Sequence, residues 1–299
     1  MPDHALPSIG MVGTGKMGGP MCRRLLAAGY RVSLFGRTPE RLAPLLDAGA
    51  DARSSLAQLA SSVAVLLTCL DTVAACEDVA LSTAGLVANA RPGTLLIELS
   101  TIAPTLAQRV GSAAALRGVL YADAPVSGGP EGAQHGTLAI MVGASAEAFE
   151  HADPVLRILG RTVVHMGGVG CGMQAKLVNQ LLTFVHGAAA AEAIALAERI
   201  GLDVGRLGEV LGAGFGQSRM LERTLERVQR DNYDAGAALV LYAKDLGLLD
   251  ALGAEAGLQL PMAAAAETIL QGAIDAGIGA RDIAALRLRY PAGRLTGSD

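Results

Sequence analysis

Three short stretches of this chain carry residues whose types and spacing could do chemistry. The first is Gly167–Gln180, GGVGCGMQAKLVNQ, where glycines open a long apolar segment with one early lysine, Lys176. At helical spacing Lys176, Asn179, Gln180 and Thr183 share an arc of about 100°. Burying an unpaired ammonium is costly, so Lys176 either reaches water from a first helical turn or has a task that explains it. The second stretch is Ser127-Gly128-Gly129-Pro130. A hydroxyl and consecutive backbone N–H groups at a strand end make a small anion nest, suited to a carboxylate, although an ordinary turn has the same composition. The third is Gly13-Thr14-Gly15-Lys16-Met17-Gly18, a G-x-G-x-x-G match. In that pattern the first glycine makes the turn, the second lets the backbone approach a pyrophosphate, and the third packs helix on strand. The pyrophosphate then rests on the free N–H groups of the helix.

The elements that must position these stretches follow from the apolar pattern. Ser8–Val12 reads as a buried strand, Met17–Ala28 as a helix closed by Gly29, and Arg31–Phe35 as a second strand. Where an NAD site usually has Asp or Glu, this second strand ends in Phe35-Gly36-Arg37-Thr38. Arg37 and Thr38 can bind a ribose 2′-phosphate, so NADP is expected, with NAD as the alternative. Thr38 could equally be the N-cap before Pro39. Val63–Cys69 and Leu95–Leu99 are continuous apolar runs, as in parallel strands buried on both faces. Ligands of such sheets lie beyond the carboxyl ends of the strands, which puts Leu70, Asp71 and Thr101 beside a cofactor. For Thr101 the alternative is a cap before Pro104. Tyr121–Val126, Thr137–Val142 and Thr162–His165 are the remaining strands. Beyond them the pattern is helical: a long helix from Cys171 to Ile200, then Val204–Leu211, Arg219–Arg230, Leu239–Ala256, Pro261–Ala276 and Asp282–Tyr290. The expected fold is an α/β Rossmann-type doubly wound sheet over residues 1–168, followed by an all-α domain over 169–299.

Composition narrows the function. A chain of 299 residues holds about two domains. With 3% aromatics and no Trp, its core must be built from Ala, Leu, Val and Ile. The net charge of −4, without a basic run, disfavours nucleic acid or an anionic membrane surface as a partner. Cys22, Cys69, Cys76 and Cys171 form no metal-ligand spacing and suit a reducing cytoplasm. No leader-like segment is read at the N-terminus, and Val63–Leu70 and Gly187–Ala197 are too short or too interrupted to span a bilayer. A helix of about 40 Å that is apolar nearly all round needs cover from more than one domain. His186 on it reads as an interior histidine. The run Glu222–Asp231 reads as an exposed charged face, and the tail after Pro291 as frayed.

Taken together, four motifs in order resemble the β-hydroxyacid dehydrogenase family, which includes 3-hydroxyisobutyrate dehydrogenases and tartronate, glyoxylate and succinic semialdehyde reductases. IGMVGTGKMGGPM is similar to the family's cofactor signature, and DAPVSGGPEGAQHGTL, Asp123–Leu138, to its substrate loop. GGVGCGMQAKLVNQ is similar to its catalytic segment and Lys244-Asp245-Leu246 to its late cofactor contact. The resemblance implies Lys176 as general acid/base and Ser127, Gly128 and Gly129 as holders of a substrate carboxylate. It implies Asn179 beside the substrate, and Thr101 and Lys244 on the nicotinamide part of NADP. It also implies a homodimer or homotetramer through the helical domain. Two positions depart from the family pattern. Pro130-Glu131 follows Gly129, which could alter substrate choice, and Ala237-Ala238 stands where many relatives carry an aromatic. Two rivals share the architecture: an imine reductase-like reduction of C=N, against which Lys176 and the Ser-Gly-Gly loop argue, and a non-catalytic NADP-binding protein.

Overall fold

The computed structural model describes residues 6–234, 236 and 238–290. Ala237 and the tail from Pro291 lie outside the described residues. The chain divides into two compact units, Met1–Lys176 and Leu177–Asp299.

The first unit alternates strands and helices. They run β1 (Ile9–Val12), α1 (Gly18–Ala27), β2 (Val32–Phe35), α2 (Pro39–Leu46), β3 (Asp51–Ala52), α3 (Leu56–Ser62) and β4 (Val65–Thr68). Then come α4 (Val73–Leu81), α5 (Leu86–Asn89), β5 (Leu95–Glu98), α6 (Pro104–Ala115) and β6 (Leu120–Asp123). The unit continues with β7 (Val126–Ser127), α7 (Gly129–His135), β8 (Leu138–Ala144), α8 (Ala146–Leu159) and β9 (Gly160–Gly167). The sheet order is β3-β2-β1-β4-β5-β6-β8-β7, with β9 on β8. From β3 to β6 every pair is parallel, in the 3-2-1-4-5-6 order of a dinucleotide-binding sheet. β8 runs antiparallel to β6 and β7.

The apolar runs read from sequence become strands buried on both faces. Ile9, Met11, Val65, Leu67, Leu95 and Ile97 pack into one core with α1 and α8. Val12, Leu66 and Leu96, pointing the other way, pack with α3 to α6. Period-two alternation therefore builds two cores from one sheet, each fully buried Leu or Ile contributing about 1.5–3 kcal/mol. Helix starts follow local chemistry. Ser55, Thr72 and Ser145 accept from the third backbone N–H of α3, α4 and α8.

The second unit is helical. It is formed by α9 (Cys171–Arg199) beyond Lys176, α10 (Val204–Ala213), α11 (Arg219–Gln229), α12 (Leu239–Glu255) and α13 (Pro261–Ala273). Phe184 and Ala191 pack with Leu246, Leu270, Ile283 and Leu286, and Phe184 meets Tyr242 edge-on at 5.4 Å. Asp282 is fully buried and accepts two hydrogen bonds from the Arg223 guanidinium, at 2.5 and 2.7 Å.

Several sequence expectations need correction. The helix expected to Ala276 ends at Ala273 and passes into a π turn, Ile274–Ile278, because Gly277 takes φ +81°. Asp282–Tyr290 is a 3₁₀ stretch, Ile283–Arg289, opened by the Asp282 cap on Ala284 N–H. Ser127–Pro130 is more than a turn: Gly129 and Pro130 form the start of α7, and Gly136, left-handed at φ +66°, closes it. His186 is half-buried rather than interior. α9 is a continuous 29-residue helix through Lys176 and Glu192, so by length and hydropathy it passes for a membrane span. Half of the qualifying window is buried inside the protein.

Candidate active site

The glycine turn after β1 has the sterics that its pattern requires. Gly13 sits at φ +96°, and a Cβ there would fall 2.0 Å from the carbonyl oxygen of Cys69. A Cβ on Gly18 would fall 1.9 Å from the carbonyl oxygen of Gly13. Both glycines are demanded by the fold. Gly15 is different: the nearest atom to a Cβ there is Arg41 Nη1, at 4.0 Å. Open space over the middle glycine is what a pyrophosphate needs. The N-cap of α1, Met17, makes no side-chain cap bond to the first helical turn. Thr14, Lys16 and Met17 complete the turn, with Lys16 exposed. The turn therefore fits a dinucleotide.

Arg37 and Thr38 lie exposed after β2. Thr38 occupies the N-cap position of α2, but its hydroxyl makes no cap hydrogen bond. Arg41, one helical turn beyond Arg37, brings a second guanidinium toward the glycine turn. The sequence reading missed it because it lies inside a helix. At the carboxyl ends of β4 and β5, Leu70 N–H donates to Ser100 Oγ at 2.7 Å and Ser100 N–H to Glu98 Oε1 at 2.8 Å. These bonds fix Leu70 next to Gly13, against which its Cδ2 packs. Asp71 is exposed and Thr101 half-buried. The capping alternative for Thr101 does not hold, since Ala103 is the N-cap of α6.

Ser127 ends β7, and Gly128 and Gly129 follow at φ +132° and +64°. Glu131 Oε2 lies 3.2 Å from where a Cβ on Gly129 would stand. Four residues before Ser127, the fully buried Asp123 ends β6. It accepts from Gly170 N–H at 2.7 Å and Met173 N–H at 2.8 Å, at the start of α9. Burial pushes its carboxyl up to about 6, against the lowering pull of these backbone donors and Gly172. Lys176 follows on the same helix and is only 7% exposed, so it does not reach water from a first turn. Burial also pushes the Cys22 thiol up to about 12 and the Cys69 thiol further, which leaves both protonated and poor nucleophiles.

In the second unit the polar stripe of α9 is a connected network. Asn179 Nδ2 donates to Gln180 Oε1 at 3.2 Å and to Thr183 Oγ1 at 3.3 Å. Gln180 Nε2 donates to Asp245 Oδ2 at 2.6 Å. Lys244 Nζ lies 3.1 Å from Asp245 Oδ1, an ion pair without hydrogen-bond alignment. Buried Asp245 thereby ties α12 to α9, a link that the local sequence around Lys244 does not show.

The sheet and its glycine turn define a dinucleotide-binding fold. Residues 8–168 match the family model described as the NAD binding domain of 6-phosphogluconate dehydrogenase. Residues 170–289 match the one described as NAD-binding of NADP-dependent 3-hydroxyisobutyrate dehydrogenase. The chain is 37% identical over 271 residues to a 3-hydroxyisobutyrate dehydrogenase of Pseudomonas aeruginosa, covering 88% of this chain and 91% of that one. It is 35% identical over 279 residues to the 2-(hydroxymethyl)glutarate dehydrogenase of Eubacterium barkeri, covering 93% of each. A crystal structure of 3-hydroxyisobutyrate dehydrogenase from Salmonella typhimurium aligns with a TM-score of 0.86 at 32% identity, over 95% of this chain and 99% of that one. The chain belongs to the β-hydroxyacid dehydrogenase family, and its cofactor is a nicotinamide dinucleotide, NADP or NAD.

Proposed function

We propose that the chain catalyses reversible oxidation of a small β-hydroxyacid to its semialdehyde, with NADP preferred and Lys176 as general acid/base. The observation that carries this reading is the burial of Lys176 in the same unit as the dinucleotide turn and the Ser127–Gly129 loop. A bound nicotinamide dinucleotide supplies the hydride acceptor or donor. Ser127 and the N–H groups of Gly128 and Gly129 hold the substrate carboxylate. Lys176 gives a proton to the carbonyl oxygen in reduction, and its neutral amine takes one from the hydroxyl in oxidation. Asn179, three residues along the same helix, orients the substrate oxygen. Leu70, Asp71, Thr101 and Lys244 are assigned to the cofactor. Arg37, Thr38 and Arg41 are assigned to the 2′-phosphate, and the lack of a carboxylate at the end of β2 supports NADP over NAD.

Within this reading the protein is a homo-oligomer that pairs through its helical unit. Val178, Leu182 and Leu196 on α9 are 58%, 51% and 62% exposed in the single chain, which supports cover from a second copy. The free thiols of all four cysteines suit a reducing, cytoplasmic setting.

A substrate panel tests the proposal. 3-Hydroxyisobutyrate, 2-(hydroxymethyl)glutarate, L-serine and tartronate and succinic semialdehydes are each run with NADP and NAD cofactors. The expected result is turnover of at least one, with higher kcat/KM for the NADP form. A protein that binds NADPH and turns over none of them overturns it.

A further inference from the structure

α9 starts differently from the helices around it. α3, α4 and α8 are capped by the serine or threonine immediately before them. Such a local cap stabilises a helix but does not say where in the protein it lies. α9 takes its acceptor from 47 and 50 residues away: the two carboxylate oxygens of Asp123, on β6, receive the N–H of Gly170, just before the helix, and that of Met173, in its first turn. A non-local cap fixes the position of the helix on the sheet.

The surrounding packing makes that position single-valued. A Cβ on Gly172 would lie 2.5 Å from the carbonyl oxygens of both Asp123 and Met141, so the first turn of α9 is pressed against the backbones of β6 and β8. Gly143, the Cα partner of Asp123 on β8, leaves room for the carboxylate: a Cβ there would lie 2.5 Å from Asp123 Oδ1. Lys176 follows Gly172 by four residues, about 6 Å along the axis. Ser127 follows Asp123 by four residues in the other direction.

We infer that Asp123 is a positioning residue for the reaction: one carboxylate anchors both the helix that carries Lys176 and the strand that leads into the Ser127–Gly129 loop. It thereby sets the distance between the proton-transferring amine and the carboxylate-binding loop. This inference rests on the reading of Lys176 as general acid/base. Burial works against the ionised carboxyl, as its upward shift records. The anchor therefore does less for stability than its hydrogen bonds suggest, and its effect falls on geometry. A displacement of about 1 Å between reacting groups is enough to lower turnover by about 100-fold.

The test compares Asp123→Asn and Asp123→Ser with Lys176→Ala, using NADPH and tartronate and succinic semialdehydes as carbonyl probes. Asn keeps the shape but turns an NH₂ group toward one of the backbone donors. Ser keeps a single acceptor. The expected result is a folded Asn variant with kcat about 10- to 100-fold lower and NADPH affinity within about twofold. A purely structural residue would not give that split. Where Asn fails to fold, the same split in the Ser variant carries the inference. It is overturned by a folded variant with kcat within about twofold of wild type, by equal loss of kcat and NADPH affinity, or by failure of both variants to fold. Turnover retained in Lys176→Ala would instead sink the acid/base reading, so the two failures are told apart.

Discussion

Alanine at Gly13 and at Gly15 should have opposite effects, although both residues belong to one motif. At Gly13 an alanine must hold φ near +96°, which costs about 1–2 kcal/mol for a residue with a Cβ. Its methyl would also start 2.0 Å from Cys69 O, so the ends of β1 and β4 must part by about 1 Å. That strains the Cys69 N–H to Val12 O bond, 2.9 Å in the native sheet, at a further cost of about 1–3 kcal/mol. The sum, roughly 2–5 kcal/mol, lowers Tm by about 4–20 °C for a unit of this size. At Gly15 the methyl meets nothing closer than Arg41 Nη1 at 4.0 Å, so apo stability should change by no more than about 0.5 kcal/mol. The same methyl stands where the pyrophosphate comes closest, and NADPH affinity should fall at least about tenfold. Thermal unfolding with and without NADPH reads both effects. At 100 times the wild-type Kd the cofactor adds about 2.7 kcal/mol to the wild type, and a tenfold weaker Gly15→Ala should gain no more than about 1.4 kcal/mol at the same concentration. A Gly15→Ala protein with the full NADPH shift, or with the apo destabilisation of Gly13→Ala, would refute the reasoning.

Further tests concern Asp123, the Arg37–Arg41 pair and Asp282. The Asp123 carboxyl is raised from 3.8 to about 6 in the fold, so the native state holds its proton more tightly than the unfolded chain. Its contribution is fully present below pH 3.8, is lost as pH rises to about 6, and amounts to roughly 3 kcal/mol; urea midpoints of Asp123→Asn should gain on wild type over this window, and a constant difference would contradict the shift. Replacing Arg37 and Arg41 together by Ser should weaken NADP binding by about 10- to 100-fold through lost charge-assisted bonds and leave NAD binding nearly unchanged, as titration of the two cofactors would reveal; equal losses for both would remove these residues from the 2′-phosphate. Asp282→Ala removes the buried carboxylate held by the half-buried Arg223 guanidinium and should destabilise the protein by about 1.5–3 kcal/mol, seen as a lower urea midpoint; a change below about 0.5 kcal/mol would show the pair to be energetically idle.

What could be read from sequence was what local sterics and periodicity dictate. Gly13 and Gly18 are fixed by backbone overlaps within a few residues or one neighbouring strand, and the apolar runs at Val65–Thr68 and Leu95–Glu98 could only be strands buried on both faces. What stayed hidden depends on partners far along the chain. Nothing near Asp123 in sequence announces that it caps a helix 47 residues later, and nothing near Gln180 points to Asp245, 65 residues on. Arg41 was overlooked because a helix turns it back toward a site that its sequence neighbours leave. The α7 helix was hidden by glycines: Gly128 and Gly136 take the positive φ angles that bracket it, and composition alone reads such a stretch as turn. The burial of Lys176 is a tertiary fact too. Its polar stripe was visible, but the sequence left open whether the ammonium reached water.

Proton handling by Lys176 is open to direct test. The most direct measurement is steady-state turnover of Lys176→Ala on the best substrate of the panel, together with its affinity for NADPH. The expected kcat is about 10²- to 10⁴-fold lower, with NADPH affinity within about threefold of wild type. A Lys176→Ala protein that binds NADPH and turns over within about fivefold of wild type would contradict it.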